Sequence, residues 1–154
     1  LLDGDTCVAR HMGVLDGEFD LVKRGVIVAL YWFMLHWAHD QGAKRLDFGS
    51  SRAQTSNGVF QFKRQMGTRV VPHKYIYTQW SFYAHLLPNN LRDHLNTMGM
   101  ITTVDNKCYK VRLINPKDST TTADFTREMK HATACGLTGL VVFSERGKMQ
   151  VISQ

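Results

Sequence analysis

The run at residues 28–41, VALYWFMLHWAHDQ, constrains the fold more than any other stretch. Its apolar side chains recur at helical spacing, with Leu30, Phe33, Met34, Trp37 and Ala38 on one face. Gly42 stands where a helix C-cap belongs. The most apolar part, residues 26–38, holds Tyr31, His36 and two tryptophans and is too short to span a bilayer. A stripe this wide needs a broad partner, so the helix is expected to lie across a β-sheet.

The flanking segments supply strands for that sheet. Residues 6–15 (TCVARHMGVL) read as a strand between two Asp-Gly turn signals, Asp3-Gly4 and Asp16-Gly17. Residues 18–23 read as the returning strand, closed by Arg24-Gly25. Residues 45–49 form a short strand, 50–56 a polar loop, and 58–66 a helix capped by Ser56 or Asn57, with Val59, Phe62 and Met66 on one face and Gly67 behind it. Residues 70–80 are rich in β-branched and aromatic side chains, with Pro72 near the start of that strand.

Pro88-Asn89-Asn90 breaks the chain. Beyond it come a helix at 91–100, a strand at 109–114, a turn at 115–118 and a helix at 123–134 stopped by Gly136. Strands at 140–143 and 150–153 then surround a turn at Arg146-Gly147. The expected class is α/β (α+β), a mixed sheet flanked by helices with a C-terminal helix–β–α–β–β extension. The expected domains are 1–87 and 88–154.

Composition bounds the function. With 44% hydrophobic and 21% charged residues in 154, the chain can bury a core and is not a disordered segment. The net charge is +6, from 10 Lys/Arg against 7 Asp/Glu in residues 1–80 and 9 against 6 in 81–154. An even excess without a basic block points to an anionic ligand or to plain solubility, not to a nucleic-acid stripe. Cys7, Cys108 and Cys135 are odd in number and far apart, which argues against a disulfide framework and for a reducing, cytoplasmic setting. His36 and His39 form an H-x-x-H pair with no second cluster to complete a metal site. No GxSxG, HExxH or P-loop occurs. The first residue is leucine, and the expectation is a fragment or processed form.

Within residues 28–80 the order is helix, strand, polar loop, helix, strand. The carrying residues are LYWFMLHWAHDQGAKRLDFGSS and then NGVFQFKRQMGTR. This segment resembles the C-terminal half of a GNAT-fold acyltransferase. It is more closely similar to the FemAB-like and CelD-like branch of bacterial envelope and polysaccharide gene clusters. Ala38 and Gly42 match that branch's helix end, Asp47-Phe48-Gly49 its strand end, and Gly58, Phe62, Lys63 and Gly67 the helix after it. Two departures are visible. Ser50 and Ser51 stand before Arg52, where the pattern often has arginine directly after glycine. KRGVIVA, at the place of the usual pyrophosphate loop, has a single glycine.

The resemblance implies an N-acyltransferase that moves an acyl or aminoacyl group to an amine on a cell-envelope or polysaccharide precursor. The donor would be acyl-CoA or aminoacyl-tRNA, so nucleic acid enters only as tRNA, and no metal is implied. Such chemistry needs a held donor, a polarising backbone N–H and an attacking amine. The expected donor-binding residues are Gly49, Ser50, Ser51, Arg52, Asn57, Gly58 and Lys63. They combine close backbone approach, helix N-terminal N–H groups and charged donors. Asp47 and Tyr75 are the expected catalytic residues, and His73 and Tyr77 lie on the same strand face as Tyr75. Bland readings stand beside these: a capped strand-to-helix loop, a structural carboxylate at Asp47, sheet packing at Tyr75 and a solvated Lys63. The competing functions are a non-catalytic module on the same frame and an RNA-binding domain.

Overall fold

The computed structural model describes residues 1–72, 87–114, 122–144 and 149–153. It is a mixed α+β protein with two mixed sheets. The chain divides into two compact units, Leu1–Ser50 and Ser51–Gln154, so the division falls within the segment expected as one domain, 1–87. The strand expected at 70–80 lies for the most part outside the described residues, as do Tyr75, His73, Tyr77 and the two turns at 115–118 and Arg146-Gly147.

In the first unit β1 (Leu2–Asp3) and β2 (Thr6–Val8) pair antiparallel around Gly4-Asp5, and β2 pairs parallel with β3 (Arg45–Asp47). A salt bridge from Arg45 to Asp5, at 2.7 Å, ties the start of β3 to the first turn, and that bond lowers the Asp5 carboxyl below its ordinary range. The strand expected at 6–15 stops at Val8, because β3 offers only three residues to pair with. The returning strand expected at 18–23 is helical instead. Asp16 and Gly17, both at positive φ, turn the chain through a 3₁₀ turn (Leu15–Gly17) into α1 (Phe19–Lys23).

The principal helix is α2 (Val26–Asp40). It ends as its sequence implies. Gly42 N–H donates to His39 O at 2.8 Å and Ala43 N–H to Ala38 O at 2.9 Å, the paired bonds of a Schellman cap. Its inward face differs from the expected one. Tyr31 and Ala38 are buried, and Ile27 and Met34 are half-buried, a row spaced i, i+4, i+7, i+11. Leu30, Phe33 and Trp37 are exposed and line a groove of about 390 Å³ with His11 and Met12. So many apolar residues surround this helix that spacing alone does not select the face. Tyr31 does so by stacking on Phe48 at 4.4 Å, and burial raises its phenol above the ordinary range.

The second unit opens with α3 (Gly58–Gln65), followed by α4 (Asn89–Met98), the β4–β5 hairpin (Ile101–Val104 and Lys107–Ile114), α5 (Thr122–Ala134), β6 (Gly139–Ser144) and β7 (Met149–Ser153). The sheet order is β4-β5-β6-β7, antiparallel at both outer pairs and parallel at β5–β6, where α5 makes the crossover. The core packs Ala132 of α5 on Cys108, Leu140 and Val142, with Phe125, Met129 and Ile152 around them. Leu140 and Val141 are fully buried, which fits the unbroken apolar run of β6 in the middle of a sheet.

On α3 the inward residue is Phe60, at 5% exposure, while Val59 of the expected face is exposed. The difference follows from the cap: Asn57 Oδ1 accepts from Phe60 N–H at 3.1 Å, which fixes the first turn.

Candidate functional site

The expected donor-binding residues fall in both compact units. In the first unit, β3 ends in an Asx turn, with Gly49 N–H donating to Asp47 Oδ1 at 2.7 Å. Gly49 sits at φ 73, and a Cβ there would meet Ala9 O at 3.4 Å, so the turn takes glycine for both conformation and space. The Asp47 carboxylate therefore shapes its own loop. Ser50 follows at the surface.

In the second unit, Ser51 and Arg52 are exposed. The chain then ceases to be a free loop. Ile101 N–H donates to Ala53 O, Gln54 bridges Met100, and Thr55 N–H and Ser56 N–H donate to Gly99 O and Met98 O. Residues 53–56 thus run as an edge along the α4–β4 junction. Asn57 caps α3, and the Gly58 and Val59 N–H groups have no partner among the described residues. Lys63, expected to bind the donor with a solvated side chain as the bland reading, lies on the inward face of α3 at 9% exposure. Tyr75 lies outside the described residues.

The structure also assembles a polar cleft of about 570 Å³ within the second unit. Its floor is β5 and its walls are α4 and α5. Lys110 and Arg112 stand on one face of β5 by period two, on the side that α5 covers. Lys110 Nζ donates to Glu128 Oε2 at 3.0 Å, and Arg112 Nη1 is ion-paired with Glu128 Oε1 at 3.0 Å. The Lys110 side chain is 10% exposed, Glu128 18% and Arg112 27%, so three charges meet in a largely desolvated place. Arg127 and His131 of α5 and Asp93 and Thr97 of α4 also line it.

Sequence reasoning missed this cleft. The alternation in residues 107–114 makes Lys110 and Arg112 look like the solvent face of an edge strand. The available signal was Glu128 on α5, opposite in charge to that face.

The cysteines are unpaired thiols. Burial raises the Cys108 thiol above its ordinary range, and the Cys135 thiol likewise. Among the described residues, no group of three or more His, Cys, Asp or Glu side chains is placed to hold a metal, and no helix is long and apolar enough to cross a membrane. No family model matches the chain, and neither a curated protein nor a solved structure matches it.

Proposed function

We propose that the chain is an N-acyltransferase with a GNAT-like frame of the FemAB/CelD type, acting on an amine of a cell-envelope or polysaccharide precursor in the cytoplasm. The observation that carries this reading is the course of the chain from α2 to α3. A Schellman-capped helix leads into β3, β3 ends in the Asp47–Gly49 turn, and an exposed Ser-Ser-Arg follows before an Asn-capped helix with open N–H groups. Backbone N–H groups and an arginine are suited to an acyl donor's phosphates or polarised carbonyl. In this reading Ser51, Arg52, Asn57 and Gly58 contact the donor, which is acyl-CoA or aminoacyl-tRNA. Tyr75 serves the acceptor side.

The test is transfer of a labelled acyl group from each donor to an amino-sugar acceptor. Amine-dependent product that falls sharply in Arg52→Gln and Ser51→Leu supports the reading. Both residues are exposed, so the fold is expected to survive the changes. Product formation unaffected by either variant would remove the loop from the site, and no product with any donor would remove the activity.

A second reading, a non-catalytic module on the same frame, is favoured by the Tyr31–Phe48 stack, which closes the end of β3 against α2. It predicts that no donor raises the melting temperature.

A further inference from the structure

We propose that the outward face of α2 is a dimerisation surface, on which the same helix of a second copy packs antiparallel across a two-fold axis. The inference uses residues of the first unit only and does not depend on the transferase reading.

The first ground is what α2 shows to solvent. At about 100° per residue, the row Ile27, Tyr31, Met34 and Ala38 marks its inward side, and Ala29, Trp32, Phe33 and His36 lie on the opposite side, all exposed. A surface helix ordinarily carries charge there. Residues 26–39 hold no Lys, Arg, Asp or Glu. The outward rings pack on one another: Trp32 lies 3.8 Å from His36 and meets Phe33 edge-on at 6.1 Å. They form one aromatic ridge, and small Ala29 beside it leaves room for a second helix to approach.

The second ground is area. Phe33 is 67% exposed, Trp32 55% and Trp37 48%. These three aromatic side chains alone leave about 300 Å² open. Val28, Leu30 and Leu35, also exposed, extend the patch along both flanks of the ridge, beyond the few hundred Å² of contiguous apolar surface that a monomer ordinarily shows. Two such patches closing on each other bury about 1,000 Å², the lower size of a specific interface, which suits a reversible dimer.

The third ground is the charge at the helix ends, which selects the orientation. Asp40 stands in the last turn of its own helix, where the dipole disfavours an acid. Gly25 at the other end supplies no side-chain cap, and Arg24 beside it is exposed. Antiparallel pairing brings Asp40 of each copy to the Arg24 end of the other and opposes the two dipoles. Lys23 and Arg45 are already paired with Asp20 and Asp5. Of the charges that remain nearby, Asp16 and Glu18 lie before α2 and Lys44 after it, so they too meet with opposite sign. Charge also favours a protein copy over an anionic bilayer, because residues 1–50 hold 5 Lys/Arg against 7 Asp/Glu.

Sedimentation velocity of the whole chain from about 1 to 100 µM, the range for an interface of this size, tests the inference. The expected result is a reversible monomer–dimer equilibrium. Trp32→Glu and Phe33→Glu should each weaken it about tenfold or more, whereas Met149→Glu, at a comparably exposed apolar position on β7, should leave it unchanged. Arg24→Asp and Asp40→Arg should each weaken the dimer, and the double variant should recover it. These two positions are exposed, so the charge exchange reports on the interface even if an aromatic variant fails to fold. A monomer at every concentration overturns the inference, as does a dimer that Trp32→Glu and Phe33→Glu leave intact. A monomer that binds vesicles of neutral phosphatidylcholine through these residues gives the face to a bilayer and overturns it equally. Additive losses in the charge exchange overturn the antiparallel pairing.

Discussion

Asn96 exchanges two hydrogen bonds with the backbone of Leu113: its Nδ2 donates to the Leu113 carbonyl at 2.9 Å, and its Oδ1 accepts from the Leu113 N–H at 2.8 Å. Leu113 is 3% exposed and two residues beyond Val111, whose N–H meets Met100 O at the end of the β4 pairing. The amide of one α4 side chain thus continues the ladder where β4 has stopped. Asn96→Ala should destabilise by about 2 kcal/mol, because it strands a buried N–H and a buried carbonyl together. Asn96→Asp keeps the acceptor only and should lie in between. Urea denaturation of the three proteins checks the order.

Glu128 holds two cations apart in the cleft, and its loss leaves them facing each other with little water. Glu128→Ala should cost about 3 kcal/mol, the range for breaking a largely buried ion pair. Lys23→Ala breaks a pair with Asp20 at 3.2 Å, but those side chains are 64% and 78% exposed, and its stability should match the wild type. A cleft that tolerates Glu128→Ala as well as α1 tolerates Lys23→Ala would show that Lys110 and Arg112 are already solvated.

Gly99 ends α4 at φ 65, with the buried Thr55 side chain in the space a Cβ would fill. Gly67 has the same handedness, φ 79, but nothing beside it. Gly67→Ala should cost about 1 kcal/mol from the backbone alone. Gly99→Ala should cost about 3 kcal/mol, because the new methyl also displaces Thr55. Adding Thr55→Ala to Gly99→Ala should recover part of the loss. Additive effects of the two substitutions would exclude the contact.

The three thiols should label in a fixed order. Cys7 and Cys108 are buried at 2% and 7% exposure, and Cys135 is half-buried. Burial raises the Cys135 thiol, so its reactive thiolate is scarcer at neutral pH than that of a free thiol. Iodoacetamide followed by mass mapping should find Cys135 modified first, more slowly than a free thiol. Its rate should keep rising as pH passes the ordinary thiol range. Cys108, also raised by burial, should label only on unfolding.

The long helices and their glycine stops were readable because the signals are local. Residues 28–41 carry a 3.6-residue period and Gly42 a cap, and the helix stands at Val26–Asp40. The faces were not readable, because α2 has more apolar positions than its partners can cover and packing chose Tyr31, while on α3 the Asn57 cap set the first turn and turned Phe60 inward. The strand β4 was missed although Asp105-Asn106, at φ 47 and 59, is a type I′ turn pair. The cleft was illegible for a different reason. Lys110 and Glu128 are 18 residues apart, and their meeting depends on α5 crossing over the sheet, which no short-range pattern encodes.

The most direct test of the transferase reading is a thermal-shift titration of the whole chain with CoA, acetyl-CoA, a long-chain acyl-CoA and a charged-tRNA mimic. A ligand bound only by the folded state raises the melting temperature by mass action. The account predicts a saturable rise with one donor class, reduced in Arg52→Gln. No rise with any donor, or a rise that Arg52→Gln leaves intact, would contradict it.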